Sequence, residues 1–254
     1  MKNLLAGAAP LLRVTLPAVA DLLLPPACVL CSGRLADARL VLCGRCADAM
    51  RPLRSPVCVR CGLGLAGAYD AQRCCARCTQ MIPRFDAARA PWWFCGPMRD
   101  TIHQFKYRRR WRLGRRLADD MAALAASSLP LREVDAVVPV PLHWAKRWAR
   151  GFNPAEELAV GVARRIKKPC WPTALRRVRW TGSQTRLRGA ARRGNVSGAF
   201  AARRALPDRS LLLVDDVFTS GATVSACASA LKEAGARAVF VVTAARTPFG
   251  RLPA

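Results

Sequence analysis

Four C-x-x-C pairs fall within 51 residues of this 254-residue chain: Cys28 with Cys31, Cys43 with Cys46, Cys58 with Cys61, and Cys75 with Cys78. One tight turn can present two thiolates to the same ion, and two such turns complete a tetrahedral set. The spacing therefore predicts two structural Zn2+ ions, each closed by four thiolates, in a segment whose folding depends on metal. Nine of the twelve cysteines lie between Cys28 and Cys78, which indicates metal binding in a reducing compartment rather than a disulfide framework. Taken in sequence order, Cys28, Cys31, Cys43 and Cys46 form one set and Cys58, Cys61, Cys75 and Cys78 a second; the exact pairing stays open at this level, and Cys74 could stand in for Cys75. Sites closed by thiolates have no free coordination position, so they serve structure or partner contact and not catalysis. A redox dithiol usually comes as a single C-x-x-C beside a βαβ unit, which four pairs do not resemble. GLGLAG, Gly62 to Gly67, matches a dinucleotide fingerprint by letter, but it follows a cysteine turn and not a strand.

The first 26 residues start with Lys2 and an apolar run, as an export signal would. Pro10, Arg13 and Pro17 interrupt that run and Asp21 follows it, so the expectation is a short apolar helix ending at Pro25-Pro26 in a cytoplasmic protein. No apolar span is long enough for a transmembrane helix. Lys and Arg number 42 against 16 Asp and Glu, a formal net charge of +26, which favours a polyanionic partner.

Beyond Pro83 the pattern becomes one of alternating strands and helices. Thr101 to Ser128 has helical spacing in its second half, and Val134 to Leu142 reads as a buried strand ending at Pro139. Asn153 to Ile166 is a helix with Asn153 as N-cap and Pro154 at its first position. A strand, SLLLVDDV, leads into a helix closed by Gly235, and Ala238 to Arg246 is a third strand. Such alternation predicts an α/β fold with a mostly parallel sheet and flanking helices. We place a double zinc ribbon at 22–82 and the α/β domain at 90–250.

In parallel sheets ligands collect at the carboxyl ends of strands. Asp215 and Asp216 occupy such an end, and Thr219, Ser220, Gly221, Ala222 and Thr223 follow at a helix start, where N–H groups and the helix dipole favour a phosphate. Two carboxylates would repel that phosphate unless sugar hydroxyls or Mg2+ lay between. A phosphorylated ribose satisfies both halves of the loop. No G-x-x-x-x-G-K-[ST] occurs, which argues against a P-loop NTPase.

LLLVDDVFTSGAT resembles the type I phosphoribosyltransferase signature, the loop that holds 5-phosphoribosyl-1-pyrophosphate (PRPP). The order of PPACVLC, FKYRRR, VVPVPLHWAKRWARGFNPAEELA, QTRLRGAARRGNVSGAF and that loop is similar to the ComF (competence protein F) family, from about Leu22 to Arg246. Ser220 stands where the family often has a second Thr, and Pro154 where Gln is common. The resemblance implies a double zinc ribbon joined to a phosphoribosyltransferase-like domain, PRPP with Mg2+ as ligand, and a role in natural transformation through single-stranded DNA internalisation. Competence or DNA-uptake machinery proteins are the implied partners.

Carried onto this chain, the resemblance gives Asp215 and Asp216 the ribose 2′- and 3′-hydroxyls and Thr219 to Thr223 the 5′-phosphate. Arg147, Arg150, Gly151 and Asn153, in the loop after VPVP, become candidates for the pyrophosphate, which arginine forks suit. Lys106 and Arg108 are a second anionic contact, and Gln184, Arg188, Arg193 and Asn195 belong to a flap over the site. Turnover, in an active phosphoribosyltransferase of nucleotide metabolism, would displace pyrophosphate from the anomeric carbon, with the protein supplying positioning and electrostatics. No acceptor pocket or catalytic base can be read, and His103 and His143 are assigned to structure or surface. The alternative to turnover is a binding module. Trp92-Trp93-Phe94, Lys106 to Trp111, Trp144 to Arg150 and Arg176 to Trp180 interleave aromatics with cations, the pattern that holds single strands without reading sequence.

Overall fold

The computed structural model describes residues 25–65, 73–108, 111–178 and 198–249. The expected N-terminal helix and the flap residues 184, 188, 193 and 195 lie outside these. By internal contact the chain divides into two compact units, Met1–Ala49 and Met50–Ala254. In the first, Cys28–Cys46 carries two short turns and the helix α1 (Gly44–Asp48).

The second unit begins with another cysteine segment and its helix α2 (Ala76–Gln80). Then come β1 (Ala87–Arg89), β2 (Trp92–Trp93), α3 (Gly96–Arg108), α4 (Trp111–Ser128), β3 (Ala136–Pro139), α5 (Trp144–Arg150) and α6 (Pro154–Ile166). The chain continues through β4 (Leu175–Arg177), β5 (Phe200–Ala202), β6 (Ser210–Phe218), α7 (Ala222–Glu233) and β7 (Ala238–Arg246). The main sheet runs β1-β7-β6-β3, with β2 also paired to β7 and every pairing parallel. β1 and β2 are two pieces of one edge, pairing Ala87–Arg89 with Phe240–Val242 and Trp92–Trp93 with Ala245–Arg246. Pro91, between them, has no N–H to give to a ladder. β4 and β5 form a separate antiparallel pair.

Period-two alternation divides the central strands between two cores. Leu211, Leu213, Val239, Val241, Ala136 and Val138 pack in one cluster with Val224, Cys227 and Leu231 of α7 and with Phe200. The intervening Leu212, Val214, Val137 and Val242 are fully buried as well, as strands covered by helices require. α4 and α6, which pack on one another, contact β7, β6 and β3. Their buried stripes, Leu113, Leu117, Met121 and Ala125 on α4 and Leu158, Ala159 and Val162 on α6, repeat at helical spacing.

The three expected strands and the helices at α6 and α7 are present. α3 extends helix to the first half of the stretch from Thr101, where a basic run hides the apolar repeat of Met98, Ile102 and Phe105, all buried. The segment after VPVP, expected as loop, is the helix α5. Gly235 follows the end of α7 at φ 100°, the left-handed geometry that lets a helix stop there.

Candidate functional site

The thiolates gather in sequence order. Sγ atoms of Cys28, Cys31, Cys43 and Cys46 lie within 4.8 Å of one another, as do those of Cys58, Cys61, Cys75 and Cys78. Cys74 belongs to neither set. Cys31 and Cys43 stand 3.7 Å apart, as do Cys61 and Cys75. A tetrahedron with metal–sulfur bonds of about 2.3 Å has edges of about 3.8 Å, so this spacing fits Zn2+ and is far too long for a disulfide. In the second set, all buried, the Cys61 and Cys75 N–H groups point at Cys58 Sγ at 3.5 and 3.3 Å, the usual orientation toward a thiolate.

That second set is tied into the sheet. Ala88 N–H donates to Arg60 O at 2.7 Å, and Arg89 Nη1 to Val59 O at 3.0 Å. Arg246, the last residue of β7 and 4% exposed, donates through Nη1 to Cys61 O, and its Nη2 lies 3.4 Å from Cys61 Sγ. Burial lowers the Arg246 and Arg89 pKa values, while neighbouring thiolates oppose the shift. Neither arginine was predicted as part of a site. The available signal was a charged residue ending the apolar strand AVFVVTAAR.

At the carboxyl end of β6 the chain places the acids and the small loop together. Gly221 caps α7 at φ 76°, and a Cβ there would come 2.6 Å from the Phe218 ring. Ala222 N–H donates to Ser220 Oγ at 3.3 Å. The first turn of α7 leaves its N–H groups without a carbonyl one turn back, and they are directed out of the helix start at Thr219 to Thr223. Asp215 Oδ1 accepts from Asp216 N–H at 2.8 Å. Burial, then the Asp216 charge, pushes the Asp215 carboxyl up to about 7, against the lowering effect of its own hydrogen bond, Lys106 and Arg177. Asp216 instead pairs with Lys106 of α3, Nζ to Oδ1 2.7 Å, both side chains less than a fifth exposed. Below Asp215 lies Cys227, whose thiol burial pushes well above its usual value.

The expected pyrophosphate group separates into three environments. Arg147 is exposed and pairs with Glu156 at 3.4 Å. Arg150 donates to Tyr107 Oη at 3.0 Å and lies over that ring at 4.9 Å, which brings α5 to the end of α3 that carries Lys106. Asn153 is buried, with Oδ1 accepting from Ala155 N–H and Nδ2 donating to Val140 O. Its amide ties the start of α6 to the chain just after β3, so both of its ends are engaged within the protein. His143 is buried and His103 lies against Tyr107 at 4.6 Å.

The aromatic and basic segments sort in a similar way. Trp93 is buried and Trp92 Nε1 donates to Asp120 at 3.0 Å, so this pair belongs to packing. Arg177 lies over Phe200 at 5.4 Å. Tyr107, Trp111 and Trp148 are exposed, Trp148 at 88%; Tyr107 shares α3 with Lys106, Trp148 shares α5 with Arg147 and Arg150, and Trp111 opens α4.

Known proteins give this arrangement its relatives. The double zinc ribbon domain matches residues 19–82. Competence protein F of Haemophilus influenzae is 30% identical over 86% of this chain and 96% of its own length. The chain belongs to the competence protein F family. Its relatives include DNA utilization protein YhgH of Escherichia coli K12, 31% identical over 89% of this chain and 99% of that protein. Among solved structures, the glutamine PRPP amidotransferase of B. subtilis matches at 22% identity and TM-score 0.38, over 56% of this chain and 30% of that one. A purine phosphoribosyltransferase of Pyrococcus horikoshii matches at 13% identity and TM-score 0.33, over 55% and 90%. Like the family's other members named here, this chain carries its matched region across most of its length. No helix among its described residues is long and apolar enough to cross a membrane.

Proposed function

We propose that this competence protein F family member binds PRPP with Mg2+ at the loop after β6 and holds single-stranded DNA on the adjoining aromatic and basic face. The carrying observation is that Asp215, Asp216 and the loop Thr219–Thr223 share the carboxyl end of one central strand and open α7. Thr219 to Thr223 take the 5′-phosphate on backbone N–H groups and hydroxyls. Asp216 accepts from the ribose hydroxyls, with Asp215 beneath it fixing the peptide between them. Lys106, Arg147 and Arg150 face the pyrophosphate, with Lys106 exchanging a carboxylate for a phosphoryl oxygen when the ligand arrives. Mg2+ would be held through the ligand's own oxygens, where it would neutralise the pyrophosphate.

Tyr107, Trp111 and Trp148 supply faces on which bases stack, and the neighbouring cations follow the backbone. The names competence protein F and DNA utilization protein among the relatives support a nucleic-acid role, which this reading places in the cytoplasm beside DNA-uptake machinery. The test is calorimetric titration of the zinc-loaded protein with PRPP and Mg2+, with and without a short single-stranded oligonucleotide. Saturable PRPP binding is expected, shifted by the oligonucleotide. No heat of binding from a folded, zinc-loaded protein would overturn the reading.

A further inference from the structure

The second thiolate set and the loop after β6 are far apart in sequence, yet two arginines reach from one to the other. Arg77 lies between Cys75 and Cys78 on α2, and its Nη2 donates to Ser220 O at 2.5 Å. Arg246 reaches the opposite way, from the end of β7 to Cys61, and its guanidinium lies 4.2 Å over the Phe218 ring. Phe218 is the partner of Arg246 in the sheet register, and its ring is the floor on which Gly221 sits. A third strap, from Arg84 N–H to Ser225 Oγ at 3.2 Å, joins the chain after α2 to the first turn of α7. Between cysteine segment and loop lies a cavity of about 560 Å³, lined by Cys61, Cys78, Phe85, Phe218, Gly221 and Ala222 among others. Arg77 and Arg246 both line this cavity, beside the buried cluster that Cys58, Cys61, Cys75 and Cys78 share with Phe85, Phe218 and Val224, and their contacts are directional.

We propose that Arg77 and Arg246 make metal binding by Cys58, Cys61, Cys75 and Cys78 and ribose-phosphate binding by the loop mutually reinforcing; this rests on the PRPP reading above. A helix of five residues has no stability of its own, so α2 keeps its place through the metal its flanking cysteines hold. With metal bound, Arg77 is fixed on the Ser220 carbonyl and turns the loop's N–H groups toward the ligand. Arg246 meanwhile meets a metal-bound thiolate on one side and the Phe218 ring on the other, as an outer-shell partner that orients a ligand sulfur. Without metal both anchors are lost and the loop must be ordered by its ligand alone. Linkage is reciprocal, so a ligand that orders the loop must tighten the metal by the same factor, typically 5- to 150-fold in coupled proteins.

The experiment challenges the zinc-loaded full chain with a chromophoric chelator, Mg2+ present throughout, with and without saturating PRPP. Cysteines freed over time are alkylated and mapped by mass spectrometry, which reads Cys58–Cys78 separately from Cys28–Cys46. PRPP binding is measured in parallel by calorimetry. The expected result is release from the Cys58–Cys78 set slowed about tenfold by PRPP, with the Cys28–Cys46 set unchanged as internal control. Arg77→Ala should keep two zinc ions, bind PRPP about tenfold more weakly, and lose the protection, while Arg77→Lys restores part of it. Bound PRPP with unchanged zinc release would overturn the coupling alone. Two zinc ions without PRPP binding would overturn the ribose-phosphate reading, and the coupling with it.

Discussion

Replacing Lys106 by methionine keeps the aliphatic stem and removes one charge from a pair that sits less than a fifth exposed on either side. Removing one partner of a fully buried pair costs about 3–5 kcal/mol, and an exposed pair is worth about 0–1 kcal/mol. With 19% and 16% of the two side chains exposed, the loss should lie nearer the buried limit, about 2–3 kcal/mol at pH 8. For a unit of this size that corresponds to a fall of roughly 4–12 °C in Tm. The cost should also depend on pH. Because the folded-state pKa of Asp215 is raised to about 7, the folded protein holds a proton that the unfolded chain has released. The stability this proton contributes is full below about pH 4 and is lost as pH rises through about 7. Lys106 is one of the groups that hold this pKa down, so its removal raises it further and the variant retains the proton to higher pH. Its penalty should thus be clearly smaller at pH 5.5 than at pH 8. Urea denaturation of the zinc-loaded protein and variant at both values measures this. A penalty below about 0.5 kcal/mol at pH 8, or one equal at both pH values, would refute the buried-pair argument.

Asp215→Asn with Asp216→Asn should abolish PRPP binding in calorimetry while zinc content and fold persist; unchanged affinity in that folded variant would sink the assignment of the acids. Trp148→Ala should weaken binding of a single-stranded oligonucleotide by about 1–3 kcal/mol, and Arg147→Ala should reduce the slope of log K against log salt by about 0.7, both read by fluorescence anisotropy. Cys58→Ser should lose one of two zinc equivalents by metal analysis and, because its set is buried in the larger unit, lower the melting temperature of that unit.

The features legible in sequence are those with a local signature. C-x-x-C spacing, the apolar run Leu211–Val214 and the cap at Asn153 each act within one or two turns of chain, and each stands where expected. Pairing of the cysteines in sequence order also stands as expected, although four similar turns carry no address and only the three-dimensional grouping excludes Cys74. Asn153 shows the converse: its residue type suits a ligand as well as a cap, and only its burial and the Val140 carbonyl decide between them. α3 escaped notice because Lys106, Tyr107 and Arg108 mask its stripe, and β1 and β2 because three- and two-residue strands have no periodicity to detect. The contacts of Arg77 and Arg246 span 143 and 185 residues, a separation over which no pattern in a single sequence speaks.

The sheet order has a further consequence, for synthesis. β7 leaves the ribosome after every other strand of this sheet, yet it lies inside the sheet, between β6 on one side and the edge pieces β1 and β2 on the other. Ala87 waits for Phe240 before it has a neighbour, although both cysteine sets are complete once Cys78 has emerged. A nascent chain can therefore load metal long before its sheet can close. A premature stop ahead of Ala238 would cut out the middle of the domain and not its margin, leaving β1 and β6 as two open edges with no strand between them.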